Sequence, residues 1–215
     1  MWLLTSRNRQ EMCQRTIDAC EKTEMTQKAI VFCDGCDYDL RLPSNWTKVV
    51  SEENIGIGEA MNRFFREHPD EPFYGWLADD FLPKSLGWDI DLSRAAGNKY
   101  IAYCNDLWDR DGKRPPTWIT SAFAIGGDLV RAVGWFSPPG IRQAGIDSAW
   151  NMLGRSFGLM RYLPSTLVEH EHYKNGKRPK DPTDNDTAAE QAAWQEYIDG
   201  DACTLAKRAV AGFLG

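Results

Sequence analysis

The run Phe73-Tyr74-Gly75-Trp76-Leu77-Ala78, stopped by the adjacent carboxylates Asp79 and Asp80, limits the fold more than any other stretch. A short, near-continuous apolar run reads as a strand buried on both faces, as in parallel sheets covered by helices. In open α/β sheets, ligands gather at the carboxyl ends of such strands. Two carboxylates placed there offer hard oxygen ligands to Mg²⁺ or Mn²⁺. A solvated turn that merely ends the strand would look the same in isolation, so the rest of the chain must discriminate.

Upstream, residues 2–5 form a strand pattern followed by Ser6-Arg7-Asn8-Arg9, and Met12, Thr16, Ala19 and Cys20 recur at helical spacing over residues 10–22. A second apolar run at 29–33 ends on Asp34-Gly35, completing a strand–helix–strand unit with polar groups at both strand ends. Residues 46–50 predict a further short strand. Asn54 to Asn62 then leads into Met61, Phe64, Phe65 and His68 on one helical face, with His68 at the helix end. The glycines before this helix permit a tight backbone and an open amino end suited to phosphate.

After Asp79-Asp80, Pro83 predicts the first turn of a helix reaching residue 96. A strand at 100–104, a hairpin turn at Asp111-Gly112 and a strand at 117–125 come next. Gly126-Gly127-Asp128 opens a short helix, and Ile146-Asp147 opens another. A strand at 159–168 finishes on Glu169-His170-Glu171-His172-Tyr173. Residues 174–187, rich in Lys, Arg, Pro and Asp, read as a loop. Thr187-x-x-Glu190 is a capping box for a helix to residue 198, and a last helix starts at Asp201.

Composition narrows the function classes. The 215 residues, 42% of them apolar and 26% charged, predict an ordinary globular core. A net charge of −6 gives no general attraction to nucleic acid or acidic membranes. The six cysteines do not read as a disulfide framework, and Cys33-Asp34-Gly35-Cys36 lacks a second pair or a suitably spaced histidine for zinc. No stretch approaches the roughly 20 apolar residues of a membrane helix. A protein of the reducing cytoplasm is the expectation. Most of the nine tryptophans are expected in the core, with a minority left to line a planar or sugar ligand.

With Asp34, Asp79-Asp80 and His170/His172 at three strand ends, the chain resembles family 2 glycosyltransferases of the small phage and bacterial type. These have the A-type, nucleotide-diphospho-sugar transferase fold. The resemblance covers residues 2–173. It rests on Thr5-Ser6-Arg7-Asn8-Arg9 after the first strand, on Asp34 ending the second, and on the N-x-G-x-x-x-A-x-N segment at Asn54, Gly56, Ala60 and Asn62. It rests further on Ala78-Asp79-Asp80 in the place of the metal motif, on Gly145-Ile146-Asp147, and on the closing histidines. Ala78 departs from relatives with an acidic residue at the first position of a D-x-D motif, which bears on contacts to ribose or sugar.

The resemblance implies an α/β fold with a Rossmann-like mixed sheet flanked by helices. It places a transferase domain at 1–173, and the basic loop and helices of 174–215 pack on it. It implies metal-dependent transfer of a sugar from a nucleotide-diphospho-sugar, a UDP-sugar by expectation, to an acceptor hydroxyl with inversion. Asp80, His170 and His172 would bind Mn²⁺ or Mg²⁺. Thr5, Ser6, Arg7, Arg9, Asp34, Asn54, Gly56, Asn62, Asp79 and Lys177 would bind the donor, and Asp147 would be the general base. The acceptor is expected to be a glycan or a hydroxylated DNA base. The competing readings are a sugar nucleotidyltransferase or hydrolase, and a non-catalytic sugar or nucleotide binding module.

Overall fold

A computed structural model describes residues 1–108, 119, 122–182, 184 and 188–215. The elements, in chain order, are β1 (Trp2–Ser6), α1 (Gln10–Lys22), β2 (Ala29–Asp34), β3 (Trp46–Ser51), α2 (Ile57–Glu67), β4 (Phe73–Ala78) and β5 (Phe81–Pro83). They continue with α3 (Trp88–Ala96), β6 (Ile101–Asn105), β7 (Phe123–Gly126), α4 (Gly127–Val133), α5 (Ile146–Ser156), β8 (Met160–His170), α6 (Ala188–Asp199) and α7 (Asp201–Leu214).

The strands form one mixed sheet in the order β3-β2-β1-β4-β7-β6-β8-β5. β1, β2, β3 and β4 pair in parallel, as do β6 and β8. β7 runs against both β4 and β6, and β5 runs against β8. The carboxyl ends of β1, β2, β4 and β8 therefore meet at one edge, which is where the sequence puts its acids and histidines.

Alternation along the strands feeds two cores. Leu3 joins Phe32, Met61, Phe64, Tyr74, Phe123 and Trp150 under α2, α4 and α5. Trp2 and Leu4 join Ile17, Val31, Trp88 and Leu92 under α1 and α3. Gly75 breaks the apolar run of β4 for a steric reason. It lies opposite Trp2 in the β1–β4 register, and a Cβ there would fall 2.3 Å from the indole. Tyr197 of α6 and Cys203, Ala206 and Val210 of α7 complete the α2 side.

The turn after Asp80 differs from the expected helix start. Phe81–Pro83 is a short strand paired with Val168–His170, and the helix begins only at Trp88. Proline is tolerated there because it ends a strand at the sheet's edge. The expected turn at Asp111-Gly112, most of the strand start near residue 117, and Thr187 of the capping box lie outside the described residues. No described helix is long and apolar enough to cross a membrane. All six cysteines are free, and Cys36 alone among them is partly exposed.

Candidate functional site

A cleft of about 490 Å³ opens at the shared strand edge. Thr5, Ser6, Arg7, Arg9, Asp34, Asn54, Gly56, Asp79, Asp80, His170 and His172 all line it. Register explains the first contact: Thr5 lies beside Ala78, so Ser6 comes level with Asp79 and its hydroxyl donates to Oδ2 at 2.7 Å. Arg9 Nη1 donates to the other carboxylate oxygen at 3.1 Å. Thr16 of α1 donates to the Asp79 carbonyl at 2.7 Å, tying the helix to the turn. The Trp76 indole donates to Thr5 Oγ1 at 3.1 Å on the cleft wall.

Asp79 and Asp80 are each only 5% exposed. Adjacent buried carboxylates cannot both ionise freely, and their surroundings push them apart. Burial and the Asp80 charge raise Asp79 to about 7 in spite of Arg9 and Ser6. Burial acts the same way on Asp80, but His170, Arg9 and Arg178 outweigh it and hold the carboxyl below its usual value. Asp80 Oδ2 has Arg178 Nη2 at 3.2 Å, His170 Nε2 at 3.7 Å and Arg9 Nη1 at 3.9 Å.

The His170 position follows from the antiparallel β5–β8 pair, which sets it opposite Phe81, one residue beyond Asp80. His172 lies just past β8. Its Nδ1 accepts from the Lys174 amide at 3.2 Å, and burial, followed by the charge of His170, lowers its pKa to about 4. It is therefore a neutral imidazole at neutral pH. Trp108 packs against both histidine rings, with centroids 5.0 and 5.2 Å away.

Asp34 closes the other end of the cleft. Its two oxygens accept from the amides of Ile55 at 2.7 Å and Gly56 at 2.9 Å, which fixes the turn that leads into α2. Arg142 Nη2 holds the same turn from outside, donating to the Asn54 carbonyl at 3.1 Å and to its Oδ1 at 3.2 Å. Gly56 sits at φ 86, a left-handed conformation open to glycine.

Three expected site residues lie outside this lining. Asn62 instead fastens α2 to the following loop: Oδ1 accepts from the Phe136 and Ser137 amides at 2.9 Å each, and Nδ2 donates to the Ser137 carbonyl. Lys177 Nζ pairs with Glu169 at 2.7 Å and donates to the Leu107 carbonyl, which turns it away from the cleft. Asp147 lies in the first turn of α5, where Oδ1 accepts from the Ser148 amide at 2.7 Å. The cleft also holds residues that the motifs did not single out as site residues: Trp76, Arg142, Gln143, Asp184 and Glu190. They come from loops, the wall of β4 and the start of α6, where no spacing rule marks a ligand contact.

Among the described residues no group of three or more His, Cys, Asp or Glu is gathered to hold a metal ion as it stands. The chemistry of the donor set nevertheless fits a divalent cation: a buried carboxylate that attracts cationic groups, with a neutral imidazole close by. Asp80, His170 and His172 offer the mixed oxygen and nitrogen donors that Mn²⁺ accepts.

No protein-family model and no curated protein matches the chain by sequence. Solved structures do match in shape. Glucosyl-3-phosphoglycerate synthase from Mycobacterium tuberculosis, in complex with Mn²⁺, UDP-glucose and phosphoglyceric acid, superposes with a TM-score of 0.63 at 14% identity, over 94% of this chain and 79% of that one. A mannosyltransferase from Pyrobaculum calidifontis, in complex with GDP-mannose and Mn²⁺, gives 0.55 at 13%, over 98% and 73%. TarS residues 1–349 from S. aureus, in complex with UDP, gives 0.57 at 11%, over 78% and 58%. The chain has the A-type fold of nucleotide-sugar glycosyltransferases.

Proposed function

We propose that this chain is a metal-dependent glycosyltransferase that moves a sugar from a nucleotide-diphospho-sugar, a UDP-sugar first, to an acceptor hydroxyl. The observation that carries the reading is the meeting of Ser6, Arg9, Asp79, Asp80, His170 and His172 in one cleft at the carboxyl edge of the sheet. In this fold the M. tuberculosis and P. calidifontis proteins hold UDP-glucose or GDP-mannose together with Mn²⁺.

Each end of the cleft has its own task. Asp34, Asn54 and Gly56 form the nucleoside end, braced by Arg142. Arg7 and Arg9 bring positive charge to the diphosphate. Asp80, His170 and His172 would hold the divalent cation, which when bound offsets negative charge developing on the leaving diphosphate. Asp79 fixes Arg9 and Ser6. Asp147 follows closely on the lining residues Gln143 and Ala144, and we assign it the proton of the acceptor hydroxyl in an inverting displacement. Lys177 serves by anchoring the loop through Glu169 instead of touching the donor, and Asn62 by holding α2 in place.

The test is a donor panel including UDP-glucose and GDP-mannose, with Mn²⁺ and either glycan or hydroxymethylated DNA acceptors. Acceptor-dependent release of the nucleoside diphosphate, lost in Asp80→Ala, is the expected result. Release of sugar phosphate would favour the nucleotidyltransferase or hydrolase reading, and binding without turnover at any Mn²⁺ concentration would favour a binding module. Asp147→Asn should keep donor binding and lose transfer; a collapse of donor affinity would remove Asp147 from the base role.

A further inference from the structure

We propose that Arg178 is a built-in competitor for the divalent cation, docked on Asp80 in the free protein and displaced when the metal binds. The inference rests on the metal-dependent reading of this cleft and adds a mode of regulation to it. The Arg178 side chain is 9% exposed, and its guanidinium bridges three acids, Asp80, Asp184 and, more loosely, Asp181 at 3.4 Å. Nη2 donates to Asp80 Oδ2 at 3.2 Å and Nη1 to Asp184 Oδ2 at 2.6 Å. Nε donates to the Glu171 carbonyl at 2.8 Å, so each nitrogen of the fork is engaged.

The segment bearing Arg178 is held down by a second arginine as well. Arg9 Nη2 donates to Asp181 Oδ1 at 2.9 Å and to Asp184 Oδ1 at 2.7 Å, while Nη1 holds Asp79. Asp184 Oδ2 also accepts from the Asp181 amide at 2.9 Å. Two arginines and the carboxylates of Asp79, Asp80, Asp181 and Asp184 thus stitch the post-strand segment to the floor of the donor site.

A cation on Asp80 Oδ2 would sit about 2.0–2.6 Å from that oxygen, and so about 4 Å from a guanidinium nitrogen on the same atom. Like charges that close repel strongly in a site screened from water. A guanidinium cannot escape by losing its proton. Arg178 must therefore leave Asp80 Oδ2 for the metal to bind that oxygen, and its hold on Asp184, which Arg9 shares, is strained in the same step. The closed segment sets a threshold that the metal has to overcome.

Mn²⁺ titrations of the full chain, read by loss of the free-ion EPR signal, test this without any turnover. The proposal expects Arg178→Gln to bind Mn²⁺ about tenfold or more tightly than the wild type, with Asp80→Asn losing the site. Arg178→Lys gives a second arm if the glutamine variant does not fold. A lysine cannot span Asp80 and Asp184 as a fork does, so it too should bind more tightly than wild type. Equal or weaker binding in the folded Arg178 variants, with binding still lost in Asp80→Asn, would overturn the competition and leave the metal site standing. Binding in none of these proteins would overturn both.

Discussion

Asp80 and Asp79 are neighbours in sequence with opposite fates. One is held as a carboxylate by arginines and His170, and the other is driven up to about 7 by burial and by its neighbour. Asp184 is the residue most exposed to a pH test. Burial would raise its pKa, but Arg178, the Asp181 amide and Arg9 hold it well below the usual carboxylate range. Its contribution to stability is therefore present above an ordinary aspartate pKa of about 3.9 and fades as pH falls below that value. Urea unfolding of the metal-free protein should show Asp184→Asn less stable than wild type by about 1–3 kcal/mol at pH 6, with the gap narrowing towards pH 3. Asp34→Ala should cost about 1–3 kcal/mol in the same assay, because the buried Gly56 amide and the partly buried Ile55 amide lose their acceptor.

At the scale of elements, α2 and the loop after α4 shape the nucleoside end as one unit. The Gly58 amide donates to the Arg142 carbonyl at 2.8 Å, and a Cβ on Gly58 would lie 1.9 Å from the Ile141 carbonyl oxygen. Gly58→Ala should lower stability by about 1–3 kcal/mol or more by thermal melting, and weaken nucleotide binding with it. Strand–helix alternation was legible because buried strands and amphipathic helices carry different periods: β1, β2, β4 and α1 lie within one residue of expectation, and α7 starts at Asp201 as expected. The segment at Phe81–Pro83 was not, since a proline at a helix start and one ending an edge strand look alike until β8 is in place. Asn62 had the residue type and position of a donor contact, yet its amide serves the Phe136–Ser137 backbone, a partner remote in sequence.

The whole molecule turns strand direction into a site. β1, β2, β4 and β8 point the same way, so residues scattered from Thr5 to His172 reach one edge. That convergence was inferable from apolar runs ending in polar groups, whereas Arg142, Asp184 and Glu190 arrive on loops and a helix start without a repeating pattern. The fold also predicts thiol chemistry. Burial raises Cys13, Cys20 and Cys33, the last to about 11, and Cys36 is the partly exposed cysteine. Brief iodoacetamide treatment at pH 7.5, read by peptide mass spectrometry, should label Cys36 well ahead of the other five. The central claim, a cation-assisted diphosphate site built on Asp80, is met most directly by calorimetric titration of UDP and GDP with and without Mn²⁺. The account predicts binding that needs Mn²⁺ and weakens at least about tenfold in Asp80→Asn, or roughly 1.4 kcal/mol. Binding indifferent to both the metal and the substitution would contradict it.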